Sequence, residues 1–250
     1  MRIIGIIPAR FASSRFPGKP LVQINGKSMI QRVYGQCIKS SALTSVFVAT
    51  DDQRIFDHVN GFGGQVMMTA STHRTGTERC CEVVRNLETG NKIFDVAINI
   101  QGDEPYIQPG QIDLLASCFS DPEIEIATLI KKLDSQEEFA SPNIIKVVIS
   151  ANQQALYFSR AQIPYVRDKK SDSWFREALF YKHIGIYAYR SVTLKQITSL
   201  KSSPLELAES LEQLRWIENG YRVFTRETNH ESYSVDVPED LLKFDKFTNE

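Results

Sequence analysis

The stretch Pro8-Ala-Arg-Phe-Ala-Ser-Ser-Arg-Phe-Pro-Gly-Lys19 gathers Arg10, Arg15 and Lys19, two serines and a glycine in a few residues. Small residues let backbone N–H groups approach an anion, and three cations can neutralise a triphosphate, so this stretch reads as a phosphate-binding loop. A solvated basic loop has the same composition, and spacing alone leaves both readings open. Ala97-Ile-Asn-Ile-Gln-Gly-Asp-Glu-Pro105 turns at Gly102 and delivers Asp103 and Glu104. A carboxylate there suits Mg²⁺ held against phosphate oxygens, because that ion takes oxygen ligands and keeps several waters. Asp103 is therefore the metal candidate, although acids also occupy ordinary turns. Asp236, in Ser234-Val-Asp-Val-Pro-Glu-Asp240, is a second candidate 133 residues later, at a strand end before a final helix begun by Pro238. Thr72-His-Arg-Thr-Gly-Thr-Glu-Arg79 supplies another dense set of donors, His73, Arg74, Gly76, Thr77 and Arg79, ahead of a helix that Thr77 is expected to cap. His183 lies in an apolar strand, where a hydrogen-bonded core histidine is the commoner outcome. His58 and His230 read as surface residues.

The familiar phosphate motifs fail. Gly26-Lys27-Ser28 resembles the end of G-x-x-x-x-G-K-[ST], but the first glycine would have to be Leu21, and no G-x-G-x-x-G follows the first strand. Walker ATPases and dinucleotide dehydrogenases drop in rank.

The elements that must position these groups alternate. Arg2 to Pro8 is a nearly continuous apolar run, the pattern of a parallel strand covered on both faces. Ser28 is a helix cap for Met29, Ile30, Val33, Tyr34 and Ile38, and Ser45 to Ala49 returns to strand composition. A helix from Gln53 to Asn60, a strand near Val66, a helix over Glu78 to Leu87 and a strand from Phe94 to Ile100 continue the alternation. Repeated βα units predict an α/β fold with a doubly wound, mostly parallel sheet, whose ligand site lies beyond the carboxyl ends of its strands. Ile124 to Lys131, Ile144 to Ile149, Ala155 to Phe158 and Tyr181 to Tyr189 read as further strands. Leu205 to Asn219 reads as one helix with Leu207, Leu211, Leu214 and Ile217 on one face, ended by Gly220. Pro164 to Phe180 is polar and basic and reads as an exposed loop or insertion. The 250 residues fit a single domain with an insertion around 155–190.

Composition narrows the classes further. The chain is 42% hydrophobic and 24% charged, with 23 Gly plus Pro, which excludes collagen-like, low-complexity and wholly disordered proteins. A net charge of -1 gives no general footprint for nucleic acid or an anionic membrane, so any anion is bound locally. The apolar run Ile3 to Ile7 is far too short for a spanning helix or a secretory h-region. Cys37, Cys80, Cys81 and Cys118 form no C-x-x-C and no zinc-finger spacing, and read as thiols in a reducing compartment. A cytoplasmic protein with no membrane and no nucleic-acid partner is expected.

Taken in order, these segments resemble the 3-deoxy-manno-octulosonate cytidylyltransferases, or CMP-Kdo synthetases. The likeness runs through Ile6-Ile-Pro-Ala-Arg10, Ser14-Arg-Phe-Pro-Gly-Lys-Pro-Leu21, Ala49-Thr-Asp-Asp52, Asn99-Ile-Gln-Gly-Asp-Glu-Pro105, Ala155-Leu-Tyr-Phe-Ser-Arg160, Lys182-His-Ile-Gly-Ile-Tyr187, Leu211-Glu-Gln-Leu-Arg215 and Val235-Asp-Val-Pro-Glu-Asp240. It covers nearly the whole chain. The resemblance implies a nucleotide-diphospho-sugar transferase-like (Rossmann-like) fold, a smaller sugar-pocket and dimerisation insertion around 155–190, and a dimer. It also implies a Mg²⁺-dependent enzyme that joins Kdo to CMP from CTP, releasing pyrophosphate, for lipopolysaccharide synthesis. By the same likeness Arg10, Arg15 and Lys19 hold the CTP phosphates, with Lys19 and Arg15 also catalytic. Ser71, His73, Arg74, Gly76, Thr77, Arg79 and Gln101 lie near the nucleotide, and Asp103 and Asp236 bind magnesium. Arg160, His183, Tyr187, Glu212 and Gln213 line the sugar pocket, Arg160 being suited to a carboxylate because a guanidinium grips it in bidentate fashion. Thr75 stands where the family usually has serine, Glu78 where it has aspartate and Val237 where it has threonine. The rivals are a synthetase for sialic acid or an 8-amino Kdo analogue, and a nucleotide-binding regulatory protein without turnover. Sialic acid synthetases typically carry a Gly-Ser-Lys-Gly type turn where this chain has Ala12-Ser-Ser-Arg-Phe-Pro-Gly18.

Overall fold

A computed structural model describes residues 1–12, 16–170, 173–231 and 233–241. The first half runs β1 (Ile3–Ala9), β2 (Gln23–Ile24), β3 (Lys27–Ser28), α1 (Met29–Cys37), β4 (Ser45–Thr50), α2 (Gln53–Gly61), β5 (Val66–Met68), α3 (Gly76–Thr89), β6 (Val96–Asn99) and α4 (Pro109–Ser117). The second runs β7 (Ile126–Lys132), α5 (Gln136–Ala140), β8 (Lys146–Ile149), β9 (Ala155–Ser159), α6 (Trp174–Glu177), β10 (Tyr181–Arg190), α7 (Ser191–Ile197), α8 (Pro204–Glu209), α9 (Glu212–Glu218) and β11 (Val223–Glu227). The main sheet has the order β11-β7-β10-β6-β1-β4-β5, with β8 beside β10 and β9 beside β8. Its β6-β1-β4-β5 half is parallel, as is the β11–β7 pair, while β10 runs antiparallel to both β6 and β7. The mostly parallel, helix-flanked sheet expected from the sequence is therefore present.

The apolar run of β1 is explained by its two covered faces. Ile3 and Ile7 pack with α1, α2 and α4 residues such as Val33, Ile55 and Ile112. Ile4 and Ile6 pack on the other side with Val83 and Val84 of α3, Leu194 of α7 and Leu214 of α9. The chain leaves β1 through α1 toward β4 on one side and returns through α3 to β6 on the other. The carboxyl ends of β1 and β6 thus flank the point where winding reverses, the usual crevice for a ligand. Gly102 brings the two post-strand loops together: a Cβ on it would lie 2.7 Å from the Pro8 carbonyl oxygen, a backbone atom with little room to yield. Only a residue without a side chain permits that approach.

Local signals placed most elements. Ser28 caps α1, its Oγ accepting from the Gln31 N–H at 3.2 Å. Three expectations are corrected. The α3 cap is Thr75, which accepts from the Glu78 N–H, because Thr77 is already inside the helix and turned toward the core. The expected helix over Leu205 to Asn219 is two helices broken at Ser210, which takes left-handed φ 53° and ψ 49°. Leu207 is consequently left 68% exposed, while Leu211 and Leu214 are buried. Asp236 follows no strand: residues 233–236 belong to no helix or strand and are held by the Val235 N–H donating to the Asp103 carbonyl at 2.9 Å, and 238–241 form a short 3-10 turn.

The region from Pro164 to Phe180 is more than an exposed polar loop. Trp174 and Phe180 are buried with Phe139 and Leu133 in a small separate core, and the Phe139 and Phe180 rings lie 4.4 Å apart between centroids. Sparse aromatics achieve this without helical periodicity, each burying a large apolar area. All four cysteines are free and buried, as expected.

Candidate active site

The loops after β1 and β6 and the segment carrying Asp236 converge on Lys19. Gly18 precedes it with φ 71°, its N–H bonded to the Phe11 carbonyl at 2.9 Å, so the loop closes on itself and presents Lys19 from a 3-10 turn over Lys19–Leu21. Lys19 Nζ donates to Asp103 Oδ2 at 2.7 Å and to the Val235 carbonyl at 2.8 Å, and lies 3.8 Å from Asp236 Oδ1. Two carboxylates far apart in sequence thus face one cation in a half-buried setting.

Arg10 Nη1 donates to the His73 carbonyl at 3.2 Å, tying the first loop to the segment ahead of α3. Gly76 packs against Pro8 and Asn99, with a hypothetical Cβ 3.2 Å from Pro8 Cγ. Ser71 and Arg74 are exposed. Gln101 Nε2 donates to the Gly185 carbonyl at 2.9 Å, linking the end of β6 to a bulge in β10. Arg15 lies outside the described residues.

Two of the expected nucleotide donors are engaged elsewhere. Arg79 is 1% exposed; it pairs with Asp51 at 3.0 Å and bonds the Thr69 hydroxyl, so α3 anchors the ends of β4 and β5 through it. This residue, four positions past the cap, points inward here toward the half-buried Asp51 carboxylate. The His73 ring bonds Glu82, and only its backbone carbonyl meets Arg10. Burial pushes the Glu82 carboxyl up, but the Ala70 N–H, the His73 bond and the nearby Arg79 charge bring it below its ordinary range. Glu82 therefore stays ionised and fastens the 70–73 segment.

A second group lies around β9, β10 and α9. Arg160, just after β9, donates from Nε to the Glu209 carbonyl at 2.8 Å and from Nη1 to the Pro142 carbonyl at 3.0 Å. The His183 ring stands 5.2 Å from Phe158 and 5.1 Å from Tyr187, and its Nε2 meets Thr128 Oγ1 at 3.0 Å. Tyr187 is buried and packs edge-on against Trp216. Gln213 is buried. Glu212 accepts from the Thr75 and Thr77 hydroxyls at 3.1 and 2.8 Å, joining α9 to the start of α3. Burial raises the Glu212 carboxyl above its ordinary value despite these two bonds and the Arg215 charge. Sequence reasoning missed Glu209, Glu82 and Thr75 as organisers of these groups; the acid preceding Leu211-Glu-Gln-Leu-Arg215 was visible but carried no spacing signal.

Burial also pushes the His183 imidazole down to about 3, so the ring is neutral at physiological pH. Its value lies below the ordinary 6.5, so its contribution to stability is present above pH 6.5 and is lost as pH falls from there toward 3. His183→Gln keeps a partner for Thr128 and cannot be protonated. The free energy of unfolding, followed by denaturant melts against pH, should fall more steeply for the parent than for this variant in that window, by up to about 1.4 kcal/mol per pH unit. Parallel curves would refute the assignment.

Comparison with known proteins identifies the family. A family model described as Cytidylyltransferase matches residues 4–228. The 3-deoxy-manno-octulosonate cytidylyltransferase of Parabacteroides distasonis is 54% identical over 247 residues, covering 97% of this chain and 96% of the relative. That of Cytophaga hutchinsonii is 55% identical over 244 residues, covering 96% and 95%. A solved CMP:2-keto-3-deoxy-manno-octonic acid synthetase complexed with CTP superposes with a TM-score of 0.90 at 42% identity, covering 99% of this chain and 98% of that one. The 4-diphosphocytidyl-2C-methyl-D-erythritol synthase of Anaerococcus prevotii, at 10% identity and a TM-score of 0.62, shares the fold alone. With such identity maintained over nearly its whole length, the chain belongs to the 3-deoxy-manno-octulosonate cytidylyltransferase family.

Proposed function

We propose that this protein transfers CMP from CTP to the eight-carbon acid sugar Kdo and releases pyrophosphate. The observation that carries this reading is the meeting of Lys19, Asp103 and Asp236 at the winding reversal, on a chain about half identical to enzymes of that name. A sugar hydroxyl attacks the α-phosphorus in line and pyrophosphate leaves opposite, so the protein's task is positioning and charge neutralisation. Arg10 and Lys19, with Arg15, bind the triphosphate, and Lys19 offsets the charge that develops on the leaving pyrophosphate. The segment from Ser71 to Thr77 and Gln101 border the nucleotide. Arg160 grips the sugar carboxylate, while the neutral His183, Tyr187, Glu212 and Gln213 shape the rest of the sugar pocket.

Asp103 and Asp236 fit a magnesium ion, since both already face one cation with carboxylate oxygens only, the donor type and number that ion prefers. Bound there, Mg²⁺ supplies Lewis-acid polarisation of phosphate oxygens.

A homodimer is part of the proposal. Leu156, Tyr165 and Leu179, on β9 and the insertion, are 56%, 74% and 57% exposed, and a groove lined by Val148, Ile149, Pro164 and Leu179 lies in the same region. Apolar surface of this kind at the end of a sheet is characteristic of a partner contact. Light scattering should give a dimer for the parent and half that mass for Leu156→Asp combined with Leu179→Asp. A monomeric parent would end the idea. Among the described residues no helix is long and apolar enough to cross a membrane, and four free, buried thiols support a cytoplasmic site of action.

The deciding experiment is pyrophosphate release from CTP with Kdo, with sialic acid and with no sugar, each repeated in EDTA. Metal-dependent release only with Kdo is expected. Turnover only with another acid sugar would keep the nucleotide half and overturn the sugar half, and silence throughout would favour a binding protein.

A further inference from the structure

Glu209 ends α8 and engages Arg160 and its neighbour at three points. Its Oε1 accepts from the Ser159 hydroxyl at 2.6 Å, its Oε2 from the Arg160 N–H at 2.9 Å, and its main-chain oxygen from Arg160 Nε at 2.8 Å. Lys146 Nζ donates to the Arg160 carbonyl at 2.6 Å, so the Arg160 backbone is held on both sides. A guanidinium has five N–H donors. Here Nε–H and one Nη1–H are occupied, and no hydrogen bond among the described residues uses Nη2. Both Nη2 hydrogens and one Nη1–H remain, donors enough to take a planar carboxylate.

The break at Ser210 is what makes this possible. In an uninterrupted helix the Glu209 carbonyl would accept from the Gln213 N–H four residues on. With Ser210 left-handed, that carbonyl is released to Arg160 Nε, and Glu212 is turned to the Thr75 and Thr77 hydroxyls. Residues 209–212 therefore brace the Arg160 fork on one side and the nucleotide-side loop on the other.

We propose that Glu209 is a positioning residue that presets Arg160 for the carboxylate of the acid sugar without itself touching substrate. This rests on the function proposed above and adds to it the residue that prepares the sugar-binding arginine.

The test is steady-state pyrophosphate release by the full-length parent, Glu209→Ala, Glu209→Gln, Arg160→Ala and the Arg160→Ala/Glu209→Ala double variant. Glu209→Ala should raise KM for Kdo about tenfold or more while KM for CTP stays within about twofold, since the Ser159 O–H and the Arg160 N–H lose their acceptor and the backbone that carries the fork loses its anchor, although Nε keeps the main-chain oxygen of residue 209. Glu209→Gln can still accept from the Arg160 N–H and donate to the Ser159 hydroxyl, so it should recover most of the loss. In the Arg160→Ala background, removing Glu209 should add less than about twofold, the non-additivity expected of residues acting as one unit. An unchanged KM for Kdo, an equal rise in both KM values, or full additivity with Arg160→Ala would overturn the positioning role. Should Glu209→Ala fold poorly, Ser159→Ala removes one of the same bonds and the CTP KM remains the internal control. A parent silent with Kdo would instead overturn the functional reading, a result distinct from an active parent whose sugar KM ignores Glu209.

Discussion

Replacing Asp103 by Asn is expected to lower the rate of pyrophosphate release from CTP and Kdo by about a thousandfold, the range seen when a positioned charge is removed from a phosphoryl or acyl transfer site. The substitution keeps the shape of the side chain and the Asp103 carbonyl, which accepts from the Val235 N–H, so the loop after β6 retains its anchor. It removes the charge nearest to Lys19 Nζ, leaving Asp236 at 3.8 Å as the other carboxylate facing that cation. A divalent ion held by the same two acids loses half of its protein charge complement. Half-saturation should therefore move to higher Mg²⁺ concentration as turnover falls, while CTP binding followed by calorimetry without metal should change little. Parent-like turnover at ordinary Mg²⁺ would sink the assignment of Asp103. Because Lys19 is only 15% exposed and loses its closest partner, a modest drop in melting temperature is also expected.

Removal of the Arg160 side chain is the second large effect. Arg160→Ala should raise KM for Kdo by about a hundredfold or more, since two charge-assisted hydrogen bonds to a carboxylate are lost together. KM for CTP should stay near that of the parent, because the nucleotide-side groups Arg10, Lys19 and Gly76 belong to other loops. Arg160→Lys should recover little: a lysine carries the charge but not the planar fork, and it cannot reproduce the Nε and Nη1 bonds to Glu209 and Pro142. His183 offers no substitute cation, since burial keeps its ring neutral. A sugar KM indifferent to Arg160→Ala would assign the carboxylate to another group and remove the ground for the role of Glu209.

The two effects separate the substrates. One acts at the proposed triphosphate site and the other at the proposed acid-sugar site, and the connection between them runs through residues 209–212 to Thr75 and Thr77. If Arg160 takes the sugar carboxylate as proposed, a neutral sugar should be disfavoured, because the half-buried, preset fork would be left without its partner.

Much of this was legible in the residues themselves. Ile3 to Ile7 announced a strand covered on both faces, Ser28 announced the start of α1, and the motifs around Lys19, Asp103, Arg160 and Asp236 supplied the candidate groups of the proposed site. Such signals are local: the covering of a strand, the capping of a helix turn and the identity of a charged side chain are each written within a few residues. What the chain order alone did not contain is which loops meet. Asp103 and Asp236 face the same lysine only because winding reverses between β1 and β6 and because Val235 is bonded to the Asp103 carbonyl. Arg79 looked like a ligand donor and is a buried anchor, since whether a helix-start arginine points out or in depends on Asp51, at the end of another strand. The periodicity from Leu205 to Asn219 promised one helix; it breaks at Ser210, and the break goes with long-range bonds in which Glu209 accepts from Arg160 and Glu212 from Thr75 and Thr77. Local propensity is worth a few tenths of a kcal/mol per residue, roughly, and buried long-range hydrogen bonds to charged groups outweigh it. The identities of the candidate groups belonged to the sequence, and their convergence belonged to the tertiary structure, because side chains distant in the chain acquire a common partner only when the sheet order brings their loops to one edge.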